Sequence, residues 1–356
     1  MKSIDSIIDA VYQGQRIYAD AAEILYQNAP LLTLANLADH LRYKKHPDPV
    51  VTFVVDRNIN YTNICVSRCK FCAFCRPLNH EKAYVISTEV LDQKIQETID
   101  SGGTQILLQG GLHPDLHFSY YLDLLRHIKT SFDIHIHGFS PPEIEHMSKI
   151  AGLSILETIN QLKNAGLDSI PGGGAEILVD QVRCHVSPNK CDSKTWLTIM
   201  KTAHEVGLPT SATMMFGHIE TPMQMITHMI RIRELQDKTK GFTAFIPWSF
   251  QPDNTHIHVR KATAWQYLRV LALSRIVLDN IANIQASWVT QGDKIAQLAL
   301  SFGANDLGST MIEENVVAAA GVRFRLAKED LIRLIQTAGL NAARRNCTYG
   351  VLEWFT

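Results

Sequence analysis

Short apolar segments alternate with amphipathic helices from residue 51 onward, and this alternation limits the folds open to the chain more than any other feature. Each segment is rich in β-branched or other apolar residues, and most of the helical patterns between them end near glycine or proline. About eight such strands separated by helices predict an α/β fold, specifically a closed (β/α)8 barrel of the TIM type. The predicted strands are Val51–Asp56, Gln105–Gln109, Ile134–Phe139, Leu167–Ile170, Pro209–Met215, Phe242–Pro247, Ile284–Trp288 and Asn305–Leu307.

Helical patterns flank the predicted barrel on both sides. Before it, apolar residues such as Ile4 and Ile7 recur at helical spacing, and after it a helix is predicted over Lys328–Thr337. We therefore expect three regions. These are a helical layer over residues 1–50, the barrel core over 51–320, and a C-terminal helical segment over 321–356 that packs on the barrel.

The composition is that of a globular protein and excludes several kinds of partner. The 356 residues are 46% hydrophobic and 19% charged, with a formal net charge of −1. A near-neutral chain without a Lys/Arg-rich stripe offers no basic surface for nucleic acid, and its longest apolar runs are too short to span a bilayer. Asp5 and Asp9 interrupt the N-terminal apolar run, which argues against a signal peptide. We expect a cytoplasmic protein that acts on a small molecule; a homodimer is compatible with the sequence, which does not fix the oligomeric state.

Four of the seven cysteines, Cys65, Cys69, Cys72 and Cys75, lie within eleven residues directly after the first predicted strand. An odd number of cysteines, crowded in this way, is atypical of a disulfide framework. The spacing of the first three, with Phe71 before the third, suits a loop that binds three irons of a cube-shaped iron–sulfur cluster. The fourth iron would then be open to a small molecule. A compact four-cysteine zinc site and a set of buried structural thiols are the alternatives.

Glycine-rich turns follow two predicted strands, at the end of the barrel where the active sites of this fold lie. Gln109-Gly110-Gly111 follows the second strand, and Gly172-Gly173-Gly174-Ala175-Glu176 follows the fourth. Glycines at such positions let a ligand approach backbone N–H groups, and Glu176 is suited to accept hydrogen bonds from a ribose diol. The second turn lacks the spacing of a dinucleotide-binding motif, and a flexible turn with a solvated glutamate is the alternative.

Two histidines alternate on the third predicted strand. His135 and His137 share one face, and because isoleucines take the opposite face, we expect both histidines to point into the barrel. His218 and Glu220 follow the fifth strand in a similar position. A single buried histidine is more often a packed core residue, but a pair that faces a barrel lumen favours a functional site. All four side chains are candidates for proton transfer or for hydrogen bonds to a substrate.

Tryptophan and glutamine side chains follow the sixth and seventh predicted strands. Trp248 and Gln251 come after the sixth strand, and Trp288 ends the seventh. The two indoles are suited to line a pocket for an aromatic ring, although tryptophan in a barrel is more often part of the packing. We predict that these three residues, together with His135, contact the substrate.

Several longer motifs resemble those of the radical S-adenosylmethionine (SAM) superfamily, whose hallmark is the cysteine spacing of Cys65, Cys69 and Cys72 with an aromatic residue before the third. They are most similar to the group that makes menaquinone by the futalosine route and the deazaflavin cofactor. The resemblance extends from about residue 15 to the end of the chain. The motifs are Asn58–Cys65, Lys70–Phe74, Gln109–Pro114, Ile134–His137, Ser140–Ile144, Pro171–Ile177 and Gly303–Gly308.

The resemblance implies a barrel enzyme that holds a [4Fe-4S] cluster and SAM. The three cysteines of the hallmark would hold the cluster, and SAM would chelate the fourth iron through its amine and carboxylate. Gln109, Gly110, Gly111 and Ser140 would lie along the methionine part of SAM. Glu176 would lie along its ribose.

The resemblance also implies an activity. The segments Asp168–Pro171, Ser187–Cys191 and Phe242–Trp248 are most similar to enzymes that cyclise dehypoxanthine futalosine. In such enzymes electron transfer into SAM yields methionine and a 5′-deoxyadenosyl radical, which takes the C4′ hydrogen of the substrate. The resulting carbon radical adds to the benzoate ring, and loss of one electron and one proton restores aromaticity.

That chemistry needs a base, a partner for the substrate carboxylate and a source of electrons. His137, His218 or Glu220 would take the last proton, and Arg183 would bind the carboxylate. An external one-electron donor such as flavodoxin or ferredoxin would reduce the cluster. Cys75 departs from the family pattern, which has an aromatic residue there. It leaves the three ligands untouched and adds a spare thiol near the cluster.

Two other functions stay open on the sequence alone. The first is that of the sister enzyme, aminofutalosine synthase, which joins the adenosyl group of SAM to an enolpyruvyl benzoate by radical addition. The second, from another class, is that of a non-enzymatic zinc-binding protein. The products formed with each substrate separate the two enzymes. The iron and zinc content of the protein separates both from the third function.

Overall fold

Strands and helices alternate along residues 3–355, the part of the chain that the computed structural model describes. The strands are β1 (Val50–Val54), β2 (Asp56–Asn60), β3 (Gln105–Gln109), β4 (His135–Gly138), β5 (Thr210–Phe216), β6 (Phe242–Ser249), β7 (Asn283–Ile284), β8 (Asp306–Ser309), β9 (Asn341–Arg345) and β10 (Val351–Phe355). The helices are α1 (Ile4–Tyr12), α2 (Ala19–Asn28), α3 (Leu31–Lys45), α4 (Thr88–Asp100), α5 (Phe118–Ser131), α6 (Pro141–Ala151), α7 (Ile155–Ala165), α8 (Asp180–Val186), α9 (Ser193–Glu205), α10 (Pro222–Thr239), α11 (Ala264–Val277), α12 (Trp288–Gln291), α13 (Asp293–Ala299), α14 (Val316–Ala319) and α15 (Lys328–Thr337), with a 3-10 turn over Leu300–Phe302. Within residues 3–355, no helix combines the length and hydropathy needed to cross a bilayer.

Parallel pairing closes eight chain segments into a ring. One arc joins β2, β3 and β4, and a second joins β5, β6 and β7. Single bridges connect the arcs, because Ser169 pairs with His137 and Ile170 pairs with Thr210. Asp306 bridges to Gln285 beyond β7, and β8 pairs with β1, which continues directly into β2. The predicted (β/α)8 barrel is confirmed, although its fourth strand consists only of the two bridged residues.

The register of β2, β3 and β4 arranges the side chains that face the lumen in layers. Successive residues of a strand point to opposite faces, so alternate positions face the lumen while the isoleucines between them face the helices. Ile106 and Ile136, for example, are fully buried on the helix side. The cysteine loop, residues 61–76, follows β2. The layer far from this loop contains Asp56, Gln105 and His135, and the layer nearer to it contains Asn58, Leu107 and His137.

Helices α1 to α3 form a layer outside the barrel. Helices α2 and α3 pack against α10 and α11, which belong to the ring of helices around the strands, and α1 packs on α2 and α3. Arg16, in the loop between α1 and α2, makes ion pairs of 2.6 Å with Asp237 and with Asp279. The N-terminal region is therefore anchored to one side of the barrel, away from the cysteine loop.

The C-terminal segment differs from the helical one that the sequence pattern predicts. After α15 the chain forms β9, which pairs in parallel with β1, and β10, which pairs antiparallel with β9. The β9 segment, Asn-Ala-Ala-Arg-Arg, has neither β-branched residues nor a clear alternation, so its strand is set by pairing with β1 rather than by its own propensity. The loop of this hairpin, residues 346–350, lies at the end of the barrel opposite the cysteine loop.

Candidate active site

The cysteine loop leaves β2 and is closed at its base by backbone hydrogen bonds. The N–H of Cys65 donates to the carbonyl of Arg76 at 3.2 Å, and the N–H of Arg76 donates to that of Asn63 at 2.8 Å. Farther along, the N–H of Lys70 donates to the carbonyl of Val186 at 2.9 Å. The loop is thus held both at its own base and to the end of α8, which fixes where its thiols lie.

All of the cysteines are free thiols, and the donors on the loop fit the expected cluster. Burial raises the pKa of Cys69 to about 11, whereas a hydrogen bond with Cys75 lowers the pKa of Cys72 to about 6. Among residues 3–355, no three His, Cys, Asp or Glu side chains converge as a site for a single metal ion. A cube-shaped cluster does not require such convergence, because each thiolate binds a different iron. Cys65, Cys69 and Cys72 therefore supply three soft donors on one anchored loop.

Gly110 and Gly111 pack against the cysteine loop. Glycine is therefore required here for close packing of the protein itself, whereas the sequence pattern suggests access of a ligand to the backbone. A Cβ atom on Gly111 would lie 2.1 Å from the carbonyl oxygen of Ile64 and 2.8 Å from the Cβ of Cys65. A Cβ atom on Gly110 would lie 2.5 Å from the ring of Tyr61. The end of β3 can approach the loop only because these side chains are absent. Contact of the two glycines with SAM stays a prediction.

Glu143, which the sequence analysis did not select, is a buried carboxylate that ties three parts of the site together. One of its oxygens accepts the hydroxyl of Tyr61 at 2.7 Å and the N–H of Gly110 at 2.9 Å. The other accepts the N–H and the hydroxyl of Ser140, at 2.7 and 2.5 Å. Burial raises the pKa of this carboxyl. Since the Ser140 hydroxyl donates to Glu143, its oxygen can still accept a hydrogen bond, and its contact with SAM stays a prediction.

Glu176 and Lys190 form a buried ion pair beside the cysteine loop. The Lys190 ammonium donates to Glu176 Oε1 at 2.9 Å and lies 5.0 Å from the centre of the Phe71 ring. Burial disfavours the ammonium charge, but Cys69 and Glu176 together raise the pKa of Lys190 above its usual value. Glu176 Oε2 is buried and accepts no hydrogen bond from residues 3–355. The Arg183 guanidinium lies 3.5 Å away from it, so this oxygen can still accept hydrogen bonds from a ligand such as the ribose diol of SAM.

Arg183 braces the second glycine turn. Its guanidinium donates to the carbonyl oxygens of Gly174 at 3.0 Å, Ala175 at 2.6 Å and Cys191 at 2.5 Å. It also lies 3.5 Å from Glu176. With its donors engaged in this way, Arg183 does not line the barrel cavity. The structure therefore gives it a place different from the one expected for a partner of the substrate carboxylate.

A cavity of about 310 Å³ occupies the barrel below the cysteine loop, a volume typical of a site for one small molecule. Gln109, Glu176 and the Gly172–Gly174 turn line its upper end. A Cβ atom on Gly173 would lie 2.6 Å from Gln109 Nε2, so the first and second turns meet there. The lining also contains polar residues outside the predicted set, among them Asp56, Asn58, Gln105, Ser211, Thr213 and Gln285.

His137 lines the cavity and begins a hydrogen-bonded chain that leads to His135. Its Nδ1 lies 2.7 Å from Ser169 Oγ, which in turn lies 2.7 Å from His135 Nε2. On the other side, Ser211 Oγ lies 3.4 Å from His137 Nε2. Burial, with contributions from His135 and Arg345, lowers the pKa of His137 to about 3. The imidazole of His137 is therefore neutral near pH 7, and one hydroxyl joins it to the second histidine.

His218 and Glu220 hold the turn after β5 and are not part of the cavity lining. Glu220 accepts the N–H groups of Gly217 and His218 at 2.6 and 3.0 Å, and its Oε2 lies 3.0 Å from His218 Nδ1. His218 Nε2 lies 3.1 Å from the carbonyl oxygen of Met215. Both side chains are engaged within their own loop. The structure thus separates them from His137, although the sequence makes all three candidate bases.

Trp248 and Trp288 line the cavity, whereas Gln251 does not. The indole N–H of Trp288 donates to the carbonyl of Ser309 at 2.9 Å, which fixes the orientation of its ring. The amide of Gln251 donates to the carbonyl and the hydroxyl of Ser249, both at 3.1 Å. The aromatic lining is present as expected, and Gln251 supports the end of β6 instead.

The C-terminal hairpin forms the floor of the cavity, which the sequence pattern did not indicate. Arg345 makes a buried ion pair with Asp306, at 2.5 and 2.9 Å. Its guanidinium carbon lies 3.9 Å from the centre of the Tyr349 ring. Thr52 of β1 also donates to Asp306, at 2.5 Å. Arg345, Tyr349 and Cys347 all line the cavity, so the hairpin closes the barrel at the end opposite the cysteine loop.

Two family models match the chain, and solved structures match its fold. Residues 59–232 match the Radical SAM superfamily, and residues 239–356 match the CofH/MqnC C-terminal region. The FeFe-hydrogenase maturase HydG from Carboxydothermus hydrogenoformans has a TM-score of 0.76 at 17% identity, over 97% of this chain and 80% of that one. At such low identity the likeness to HydG concerns the fold alone.

Curated proteins are much more similar in sequence. A cyclic dehypoxanthine futalosine synthase from Halalkalibacterium halodurans is 45% identical over 99% of this chain and 96% of its own. Another from Streptomyces coelicolor is 42% identical, over 97% and 88% of the two chains. A 5-amino-6-(D-ribitylamino)uracil–L-tyrosine 4-hydroxyphenyl transferase from Methanopyrus kandleri is 44% identical, over 98% and 96%. The chain therefore belongs to the radical SAM superfamily, among the proteins that carry the CofH/MqnC C-terminal region.

Proposed function

We propose that this chain converts dehypoxanthine futalosine into its cyclic product, a step in the synthesis of menaquinone by the futalosine route. One observation carries the proposal: a single barrel cavity joins the turn expected to bind SAM, at Glu176, to an aromatic wall at Trp248 and a neutral imidazole at His137. The two relatives named cyclic dehypoxanthine futalosine synthase support it.

The superfamily uses a [4Fe-4S] cluster and SAM, and the residues of this chain fit both. Cys65, Cys69 and Cys72 would hold the cluster, and Glu176 Oε2, which accepts no hydrogen bond within residues 3–355, would accept hydrogen bonds from the ribose diol of SAM. When bound, the two groups supply a radical that removes hydrogen atoms. The protein contributes by holding the C4′–H bond of the substrate near the upper end of the cavity and by keeping water and other hydrogen donors away. The superfamily assignment replaces the zinc-binding alternative.

In the proposed reaction the C4′ hydrogen atom ends in 5′-deoxyadenosine, and C4′ forms a bond to a carbon of the benzoate ring. Restoring the aromatic ring then removes one proton and one electron, for which the oxidised [4Fe-4S] cluster held by Cys65, Cys69 and Cys72 would be the acceptor. Once the electron has left, the ring is a cation and its proton is strongly acidic, so a weak base is sufficient. His137 is such a base, because its imidazole is neutral and lines the cavity. Ser169 and His135 can then pass the proton on.

We further propose that a flavodoxin or ferredoxin reduces the cluster and that the protein works in the cytoplasm. Val66, Arg68 and Lys70 of the cysteine loop are exposed, so the loop reaches the surface where a one-electron carrier would dock. Seven free thiols favour a reducing compartment. Replacing a chemical reductant by reduced flavodoxin in an assay of SAM cleavage tests the proposed electron donor.

Anaerobic reconstitution with iron and sulfide, followed by reduction and addition of SAM, tests the proposed activity. With dehypoxanthine futalosine we expect equal amounts of 5′-deoxyadenosine and of a product lighter by two hydrogen atoms. Deuterium placed at C4′ should appear in the 5′-deoxyadenosine. An adenosyl adduct formed from an enolpyruvyl benzoate, without 5′-deoxyadenosine, would identify the aminofutalosine synthase activity instead. A protein that cleaves SAM but leaves dehypoxanthine futalosine unchanged would contradict the proposal.

A further inference from the structure

Asp56 holds the amide of Gln105 in one orientation. Gln105 Nε2 donates to one carboxylate oxygen of Asp56 at 2.7 Å, and the hydroxyl of Ser309 donates to the other. A carboxylate only accepts hydrogen bonds, so the amide nitrogen of Gln105 faces Asp56 and the amide oxygen faces away. Gln105 is only 4% exposed, so this orientation is enforced inside the barrel.

The amide oxygens of Gln105 and Asn58 have no partner. Gln105 Oε1 and Asn58 Oδ1 are both buried, and neither accepts a hydrogen bond from any group in residues 3–355. Both residues line the cavity, and Asn58 is likewise only 4% exposed. Because a buried amide oxygen without a donor is costly, whatever fills this cavity, water or a ligand, must supply donors to both oxygens.

The two oxygens lie in adjacent layers of the lumen. Gln105 is in register with Asp56, and Asn58 is in register with Leu107, one layer nearer the cysteine loop. Together with the Asp56 carboxylate they form a wall of hydrogen-bond acceptors on β2 and β3. This wall would repel the carboxylate of a benzoate, which also only accepts, and would attract hydroxyl groups.

We propose that Asn58 and Gln105 form a polyol-binding subsite that accepts hydrogen bonds from the sugar hydroxyls of the substrate, with Asp56 as the positioning residue. The subsite rests on the proposed function, in which the substrate combines a sugar that carries several hydroxyls with a benzoate. It places the sugar against β2 and β3. The benzoate then lies toward the opposite wall, where Trp248 and Trp288 line the cavity.

Combining protein variants with deoxy analogues of the substrate tests the subsite. Each analogue lacks one sugar hydroxyl, and calorimetry gives its Kd for the cluster-loaded, SAM-bound protein without reductant, so that no turnover occurs. With the unaltered protein, we expect at least one analogue to bind about tenfold more weakly than dehypoxanthine futalosine. In Gln105→Met or Asn58→Leu, the Kd of dehypoxanthine futalosine should rise by a similar factor. The discrimination, which is the ratio of the analogue's Kd to that of dehypoxanthine futalosine, should fall to about one.

Thr243→Val is the matched control. Thr243 also lines the cavity, but its hydroxyl donates to the carbonyl of Thr210 at 3.1 Å, so this variant should keep the full discrimination. Gln105→Met also removes a hydrogen-bond donor from Asp56, which can prevent this variant from folding. In that case Asn58→Leu tests the subsite independently. Iron content and the thermal midpoint show that each variant is loaded and folded.

The outcomes separate the subsite from the proposed function. Discrimination that persists in both variants, or is absent from the unaltered protein, overturns the subsite even if the cyclised product forms. A holoprotein that binds the full substrate and shows the discrimination but forms no cyclised product supports the subsite and contradicts the proposed function. A holoprotein that does not bind dehypoxanthine futalosine overturns both.

Discussion

The ammonium of Lys190 lies 2.9 Å from the carboxylate of Glu176, and this contact links the cysteine loop to the second glycine turn. Lys190 also packs over Phe71, the residue that precedes Cys72. Arg183 holds the same turn from the other side through carbonyl oxygens of Gly174 and Ala175. The segments expected to bind the cluster and SAM are therefore positioned relative to each other by the protein's own charges.

Replacing Lys190 should destabilise the protein strongly. The Lys190 and Glu176 side chains are 16% and 4% exposed, so Lys190→Met leaves a buried carboxylate with only Arg183 nearby. We expect a loss of roughly 2–4 kcal/mol in the free energy of unfolding, measured by denaturant titration of the cluster-free protein. The control is Lys201→Met, whose partner Glu205 is more than half exposed, and its loss should stay below about 1 kcal/mol. Equal losses in the two variants would contradict the structural role of Lys190.

Cys72 and Cys75 should behave differently on cluster assembly. Cys72→Ala should abolish both the brown absorbance and SAM cleavage after anaerobic reconstitution, because it removes one of the three ligands. Cys75→Ala should retain about four irons per chain, since Cys75 is predicted not to be a ligand. Iron and sulfide analysis of both variants measures this. A Cys75→Ala protein that lacks the cluster would show that the ligand assignment is wrong.

Two serine–glutamate capping boxes, one buried and one exposed, provide a test of Glu143. Glu143 and Glu157 both occupy the third position of a helix and bond back to a serine, but Glu143 also accepts hydrogen bonds from Tyr61 and Gly110. Glu143→Ala should cost roughly 3 kcal/mol of stability, because it leaves several buried donors without an acceptor. Glu157→Ala, at an exposed box, should cost clearly less than Glu143→Ala. Thermal or urea unfolding measures both, and similar costs would show that the buried contacts of Glu143 add nothing.

His137 and His218 can be compared directly as proton acceptors. His137→Gln should lower the yield of cyclised product per 5′-deoxyadenosine formed, because hydrogen abstraction continues while the last proton leaves slowly. His218→Gln, in a residue that does not line the cavity, should leave that ratio near its original value. Chromatographic quantification of both products gives the ratio. A fall confined to the His218 variant would reassign the base.

Buried neutral histidines should make the folded protein sensitive to acid. His204 lies 2.7 Å from the hydroxyl oxygens of both Thr210 and Thr239, and burial lowers its pKa to about 4. Between pH 6.5 and pH 4 the unfolded chain binds a proton here that the folded protein does not, so stability falls as the pH is lowered. When the pH is lowered from 7 to 5, we expect the free energy of unfolding of His204→Gln to fall by about 1–2 kcal/mol less than that of the original protein, measured by urea titration. Equal losses of stability in the two proteins would contradict the lowered pKa of His204.

Much of the fold could be predicted because its periodicities are strong and local. Val51–Asp56 and Gln105–Gln109 are apolar runs bounded by clear turns, and they became barrel strands within a few residues of the expected limits. The hairpin of β9 and β10 escaped prediction because Asn341–Arg345 has little strand propensity of its own. Its conformation depends on β1, which lies almost 300 residues earlier in the chain.

The features of the candidate site that depend on local sequence could also be predicted, whereas those that depend on contacts between distant segments could not. The cysteine spacing and the glycine turns are local, so they could be read directly, as could the shared face of His135 and His137. The roles of Arg183 and Lys190 could not, because both are single charges whose partners become neighbours only in the folded chain. Glu143 was the exception, since Ser140-Pro-Pro-Glu143 is a capping-box sequence whose spacing alone marks this glutamate.

The carboxylate of Asp306 ties the order of folding to the completion of the cavity. It accepts hydrogen bonds from Thr52, 254 positions away along the chain, and from Arg345, 39 positions away. Closing a segment as long as the one between Thr52 and Asp306 is entropically costly, so we expect this contact to form only after that segment is ordered. Ring closure between β1 and β8 and the sealing of the floor by the hairpin then depend on the same carboxylate.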